Sequence, residues 1–419
     1  MKILLTGVAA VVIVGSGLLG AARSHWFHGA DAAKQPPSTK PTSAASIHDL
    51  TSIHMVNGNQ GWAVQTNPET RQSIVLKTSD GGHTWKNVTP PFLTNHSNEI
   101  QQYEGLVTDF LDVTHAYVAV ATIHTQANGA MADVPTVFVT TDGGKSWSSA
   151  TTPAPYADNV PVYVHFRTSS NGVEMNEFDT NGGDGFPVHQ LYETTDGGLS
   201  WHLMAKAPSQ TEIPETVKPG QMPTVNPGPG LTWVTMLDQK VGFTPGQNSV
   251  ASSVPNVALR TKLYKTADGG KTWVPVSLSI PKMNSPASVV ILQPSILQSG
   301  DIVVPVVENY GVPPTNYQLG LYVSADGGST FAQVSHTTVI ANNAACFGDF
   351  LNDNEGWFWI GGNLLMITDG GKTFTKASFP ELSTVTSVQF INPTTGYVAT
   401  DEGLWQTTDG GKRWGQIGR

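Results

Sequence analysis

The chain has 419 residues, a net charge of −10 and only 13% charged residues. That acidic balance argues against nucleic acid as a partner, and Cys346, the single cysteine, excludes an internal disulfide or a cysteine metal cluster. Forty-three glycines and 28 prolines point to short strands and turns rather than helices.

Lys2 is followed by an uncharged run from Ile3 to Ala22, long enough to cross a bilayer as a hydrophobic helix. Gly20-Ala21-Ala22 offers a small-residue cleavage site, so residues 1–27 are expected to be a signal peptide or membrane anchor. Residues 28–47, rich in Ala, Pro, Ser, Thr and Lys, read as a disordered linker. Residues 48–419 are then one folded body on the outer side of the membrane.

Within that body one octet recurs. Asp80, Asp142, Asp196, Asp268, Asp326, Asp369 and Asp409 each follow a small residue and precede Gly-Gly. Five residues after each comes Trp85, Trp147, Trp201, Trp273, Phe331, Phe374 or Trp414. An Asp at a hairpin turn accepts nearby backbone amides, and paired glycines supply the positive φ such a turn needs. Seven copies of one acid repeat a turn, not an active site, so these aspartates are expected to be structural.

Upstream of each octet stands a second turn, such as Gly61-Trp62, Ala116-Tyr117 or Gly396-Tyr397. Seven residues before that Gly or Ala lie, in order, His54, Asp109, His165, Thr235, Gln293, Asp349 and Gln389. Each is followed by Met, Phe or, once, Pro294, and the apolar flanks read as a strand. Seven four-strand units that cannot bury their own faces predict radial stacking: an all-β chain folded as a single seven-bladed β-propeller with four-stranded blades. The units run approximately 48–90, 98–152, 160–206, 230–277, 286–335, 343–378 and 383–419. The first and last are both complete, so no strand exchanged between the termini latches the ring.

The octet is similar to the Asp-box of bacterial neuraminidase repeats. Gly61-Trp62-Ala63-Val64 resembles the blade signature of photosystem II assembly/stability factor-like propellers. The likeness runs from about residue 48 to the end and implies the propeller fold. It implies no one function, because the box is shared by sialidases, xyloglucan-cleaving hydrolases, receptors and assembly factors. A sialidase would need an arginine triad, an acid Asp and a Tyr–Glu pair. The folded region offers only Arg71, Arg167, Arg260, Arg413 and Arg419, split between two faces, and no Arg-Ile-Pro motif.

Long connections are expected in blades two to five, at Thr122–Thr136, Phe178–Gln190, Thr244–Ala258 and Glu308–Gln318, on the face opposite the Asp turns. Loops on a rigid scaffold carry function. The rim candidates are therefore Asp133, Asp158, Asp184 and Glu308 as carboxylates, with Tyr156, Phe186, Tyr310 and Tyr317 to stack on sugar or grip peptide. His54, Asp109, His165 and Asp349 could approach the central channel as acid–base groups or ligands, but their spacing selects no metal geometry. No metal or cofactor is expected. The functional expectation is a monomeric, extracytoplasmic, membrane-tethered and non-enzymatic binding or assembly scaffold for a protein or glycan partner on the loop face of blades two to five. A glycoside hydrolase of xyloglucanase or sialidase type is the alternative. The scarcity of ionisable groups also suggests an acidic exterior, where stability would change little with pH.

Overall fold

Every Asp–Gly–Gly turn closes the third strand of an antiparallel meander in the computed structural model, which describes residues 47–95, 106–125, 129, 131–153, 159–178, 188–206, 233–247, 261–278, 288–310, 315–341, 346–379 and 385–418. The seven meanders form seven separate sheets, each from contiguous chain and with strands paired in sequence order. First strands of neighbouring blades pack on one another, which makes them the inner strands of a seven-bladed β-propeller. The expected N-terminal helix and linker fall outside the described residues, and no described helix is long and apolar enough to cross a membrane. One five-residue helix, Pro91–Asn95, links blades one and two.

Two features depart from the expected units. Blade five's inner strand comes in two pieces, Ser288–Ile291 and Ser295–Ile296, because Pro294 has no N–H to give the ladder. The same blade's outer strand runs to Ala341, beyond the expected boundary at residue 335.

The Asp turns are built as their chemistry requires. In blade three, Asp196 Oδ1 accepts the Thr194 hydroxyl (2.8 Å) and the amides of Leu199 (3.1 Å) and Ser200 (2.9 Å). Its Oδ2 accepts the Ser200 hydroxyl at 2.6 Å. Asp80, Asp142, Asp268, Asp326 and Asp409 repeat the hydroxyl and amide contacts of Oδ1. Asp369 has only the amides and the Thr373 hydroxyl, because Ile367 stands where the other blades carry Thr or Ser.

The turn also docks its own blade. The first glycine's amide donates to the carbonyl of the turn between strands one and two: Gly81 to Asn59, Gly197 to Ser170 and Gly269 to Lys240, each at 2.8 Å. The second glycine lies against the preceding blade. At Gly328 (φ +80) a Cβ would stand 2.1 Å from the Phe243 ring of blade four.

Blade–blade packing uses the two apolar positions singled out by the pattern. The aromatic on strand two stacks on the Phe that follows the polar inner-strand residue of the next blade. Trp62 lies on Phe110 at 5.4 Å, Tyr117 on Phe166 at 3.3 Å and Trp357 on Phe390 at 3.9 Å between ring centroids. Each such pair adds about 0.5–1.5 kcal/mol beyond its area burial. Lys77 crosses one seam over the Trp62 ring and donates to the carbonyls of Val113 (2.6 Å) and Gly143 (3.2 Å) in blade two.

Closure follows from the same contacts. Ile47, Leu50, Ile53 and Met55 of blade one share a core with Tyr397, Ala399 and Leu404 of blade seven. The Gln389 side chain clasps Met55, accepting its amide at 2.6 Å and donating to its carbonyl at 3.2 Å. The Asp49 amide donates to the Asp401 carbonyl (2.8 Å) and the Thr386 hydroxyl to the Leu50 carbonyl (2.6 Å). Among the described residues no strand is exchanged between the termini.

Candidate functional site

Three of the inner-strand polar residues, Asp109, Asp349 and Gln389, bond across to an adjacent blade. Asp109 Oδ2 accepts the Phe166 amide of blade three at 2.5 Å, the contact that Gln389 makes to Met55. Asp109 also lies 3.6 Å from His165 Nδ1. Asp349 accepts the Ser295 hydroxyl of blade five at 2.5 Å and the Phe350 amide at 2.7 Å. Burial pushes the Asp349 carboxyl up to about 6 against these two bonds. His54 is buried beside Phe110, and burial lowers its pKa more than Asp109 raises it. Among the described residues no three His, Cys, Asp or Glu side chains converge as a metal site.

In blades two and five the rim differs from the expectation of open loops, while most of the expected loops of blades three and four lie outside the described residues. Much of Thr122–Thr136 is ladder, with pairing from Ala116↔Thr140 out to Thr125↔Met131. Blade three pairs out to Phe178↔Val188, blade four to Gln247↔Thr261 and blade five to Asn309↔Tyr317. The segments are rich enough in β-branched and aromatic residues to prolong the strands. Asp133, Glu308 and Tyr317 therefore sit in strands, at 8%, 4% and 2% exposure, and are not open rim groups. Glu308 accepts the Tyr310 hydroxyl, while burial first and this bond second push Tyr310 up to about 12. Tyr156, Asp158, Asp184 and Phe186 lie outside the described residues.

An open site lies on the other face. A cleft of 410 Å³ separates blades three and four, walled by the turns after their inner strands and by the Asp268 turn. The volume suits a ligand of side-chain to small-peptide size. Met204, Met236 and Val173 supply its apolar lining, Arg167, Lys240 and Lys271 bring three cations, and Glu193 and His165 also line it. Its aspartates are already engaged. Asp238 accepts the Lys240 amide at 2.6 Å and the Val241 amide at 2.7 Å, and Asp268 accepts the Thr272 amide and hydroxyl. The Val241 and Lys240 amides, with Arg167 behind them, hold Asp238 below the usual carboxylate range. The remaining donors point to a ligand that accepts hydrogen bonds and offers an apolar group to the methionines. Sequence reasoning placed Arg167 on this face but missed the cleft. Its only sequence signal is the cations that follow the two turns and the Asp–Gly–Gly of blade four.

The fold defines the class: a seven-bladed β-propeller of four-stranded antiparallel blades, similar to YCF48 and to sialidase propellers. No family model and no curated protein matches the chain. Among solved structures it is similar to an ulvan lyase of polysaccharide lyase family PL25, with 9% identity and a TM-score of 0.52 over 88% of this chain and 95% of that one. It is similar also to YCF48 from Cyanidioschyzon merolae (18% identity, TM-score 0.49, 88% of this chain and 97% of that one). Trypanosoma rangeli sialidase matches at 14% identity and a TM-score of 0.42, over 80% of this chain and 54% of that one. At these identities the likeness is one of fold.

Proposed function

We propose that this chain is a non-enzymatic, extracytoplasmic binding or assembly scaffold, a monomer held at the membrane by its N-terminal segment. The partner is a protein or glycan, and the blade three–four cleft is its contact. The observation that carries this reading is the state of the carboxylates. The seven turn aspartates are bonded into their hairpins, Glu308 is buried under Tyr310, and Asp238 and Asp268 are spent on backbone amides at the cleft itself. Beside Glu193 and His165, what the cleft offers outward is three cations and a methionine surface, and a single carboxylate outside the turns falls short of the opposed pair that glycoside hydrolysis uses.

The test pairs turnover with binding. The full chain is incubated with polysaccharides and chromogenic glycosides from acidic to neutral pH, and its partners are captured from cell envelope in parallel. The expected result is no turnover, and a partner lost when Arg167→Glu and Lys271→Glu are combined. Turnover abolished by Glu308→Gln would establish the hydrolase instead. A partner that survives the cleft variant but is lost with changes in residues 154–158 or 179–187 would return the contact to the rim.

A further inference from the structure

Among the described residues, two carboxyl groups cross blade seams with no cation bonded to them. Glu174, on the second strand of blade three, is 0% exposed and accepts the Thr152 hydroxyl at the end of blade two. Asn176 lies beside it, and with its amide nitrogen turned inward donates to Glu174 Oε1 at 3.1 Å. Across the sheet Glu174 is paired with Val164 and Tyr192, whose hydroxyl goes instead to the Pro153 carbonyl (2.6 Å) and Gln190 (2.8 Å). The blade-two strand packed against Tyr192 through Val137 and Val139 carries one titratable group on that row, Asp133, which is acidic as well. Asp349, which keeps partial exposure, makes a related contact between blades five and six. It takes the Ser295 hydroxyl and borders an 80 Å³ cavity whose other side chains, including Met55, Trp357 and Gln389, are uncharged.

An ionised carboxylate in such surroundings loses water and gains nothing of opposite charge. A protonated carboxyl fits both places, because it still accepts the hydroxyl of the neighbouring blade and carries no charge to desolvate. We propose that the seams between blades two and three and between blades five and six are held by protonated carboxyls, which makes the propeller a fold for acidic surroundings that loosens as protons are withdrawn.

The sign follows from linkage. Burial raises Glu174 to about 8 against the Thr152 bond, and Asp349 to about 6 against its two bonds. The folded state therefore holds more protons than the unfolded chain, whose carboxyls titrate near 4. The stabilisation is complete below that range and is lost as pH rises, through about 6 at one seam and about 8 at the other. Few charged groups alone would give a stability indifferent to pH; these two sites add a decline on the alkaline side.

The experiment follows the urea midpoint of the full chain between pH 4 and 9, for wild type, Glu174→Gln, Asp349→Asn and the double variant. The wild-type midpoint should fall above pH 5 in two stages. Both losses begin above the unfolded carboxyl range, so Glu174→Gln should confine the fall to pH values below about 6, Asp349→Asn should leave one shallower fall that continues to about 8, and the double variant should lose both. Difference infrared spectra of the wild type supply a reading that needs no variant to fold. The carbonyl band of protonated carboxyls should persist past pH 6 and disappear only by pH 9. A midpoint profile in the double variant parallel to wild type, or the loss of all protonated carboxyl signal by pH 5, would overturn the proposal.

Discussion

Replacing Gln389 by Leu keeps most of the side-chain volume and removes the clasp between the first and last blades. Two buried backbone groups of Met55 lose their partner: the amide, held at 2.6 Å, and the carbonyl, held at 3.2 Å. An unsatisfied buried group costs about 1–3 kcal/mol, and a carbonyl with a second lone pair falls at the low end, so the expected loss is about 2–4 kcal/mol. The control is Gln293→Leu at the equivalent place in blade five, where the side chain is only half-buried and makes a single long contact (3.4 Å) to Tyr163. That change should cost less than about 1 kcal/mol. Urea unfolding of both variants checks the difference, with unchanged m-values showing that stability alone has moved. Equal losses in the two variants would refute the idea that Gln389 closes the ring.

Gly328→Ala forces a Cβ into the Phe243 ring at positive φ, and thermal and urea unfolding should report a loss of about 2–4 kcal/mol. Asp268→Ala should cost about 1–2 kcal/mol through lost turn hydrogen bonds, and its effect on partner capture should be no larger than its effect on the melting temperature. The Ser200 hydroxyl and amide hold the Asp196 carboxyl down to about 2, so its turn contributes fully above pH 4 and fails only as pH falls through about 2. Asp196→Asn should therefore lower the urea midpoint at pH 5 and matter less at pH 1.5. An equal effect at both pH values would show that the charge is irrelevant there.

The repeat carried most of the fold in plain view. Asp, two glycines and an aromatic at fixed offsets specify a hairpin by local chemistry, so all seven turns were legible. The Gly–aromatic turn and the apolar residue after each polar inner-strand position were legible as a pattern, but their meaning was not. Only the folded ring shows Trp62 against Phe110, or Trp357 against Phe390. Period-two alternation says which face a residue takes, not which neighbour it meets. His54, Asp109, His165 and Asp349 therefore read as approaching the channel, whereas Asp109 and Asp349, like Gln389, bond across to the adjacent blade. Gln389 and Met55 are 334 residues apart, and nothing local to either marks the pairing. The rim was misjudged for the opposite reason. A long segment between pattern positions was read as a loop in blade two, while Val134, Thr136 and Val137 were enough to continue a ladder through Pro135. The cleft was out of reach, since its walls come from turns near residues 167, 238 and 268 that only stacking brings together.

The most direct measurement is site-specific photo-crosslinking of the full chain in intact cell envelope, with the probe at Lys271 in the cleft or at Tyr310 on the opposite rim. The expected result is an adduct with one partner from position 271, none from position 310, and loss of the adduct when Arg167→Glu is added. Adducts formed from position 310 alone, or a glycan shortened on contact with the unlabelled protein, would contradict a scaffold that binds through the cleft.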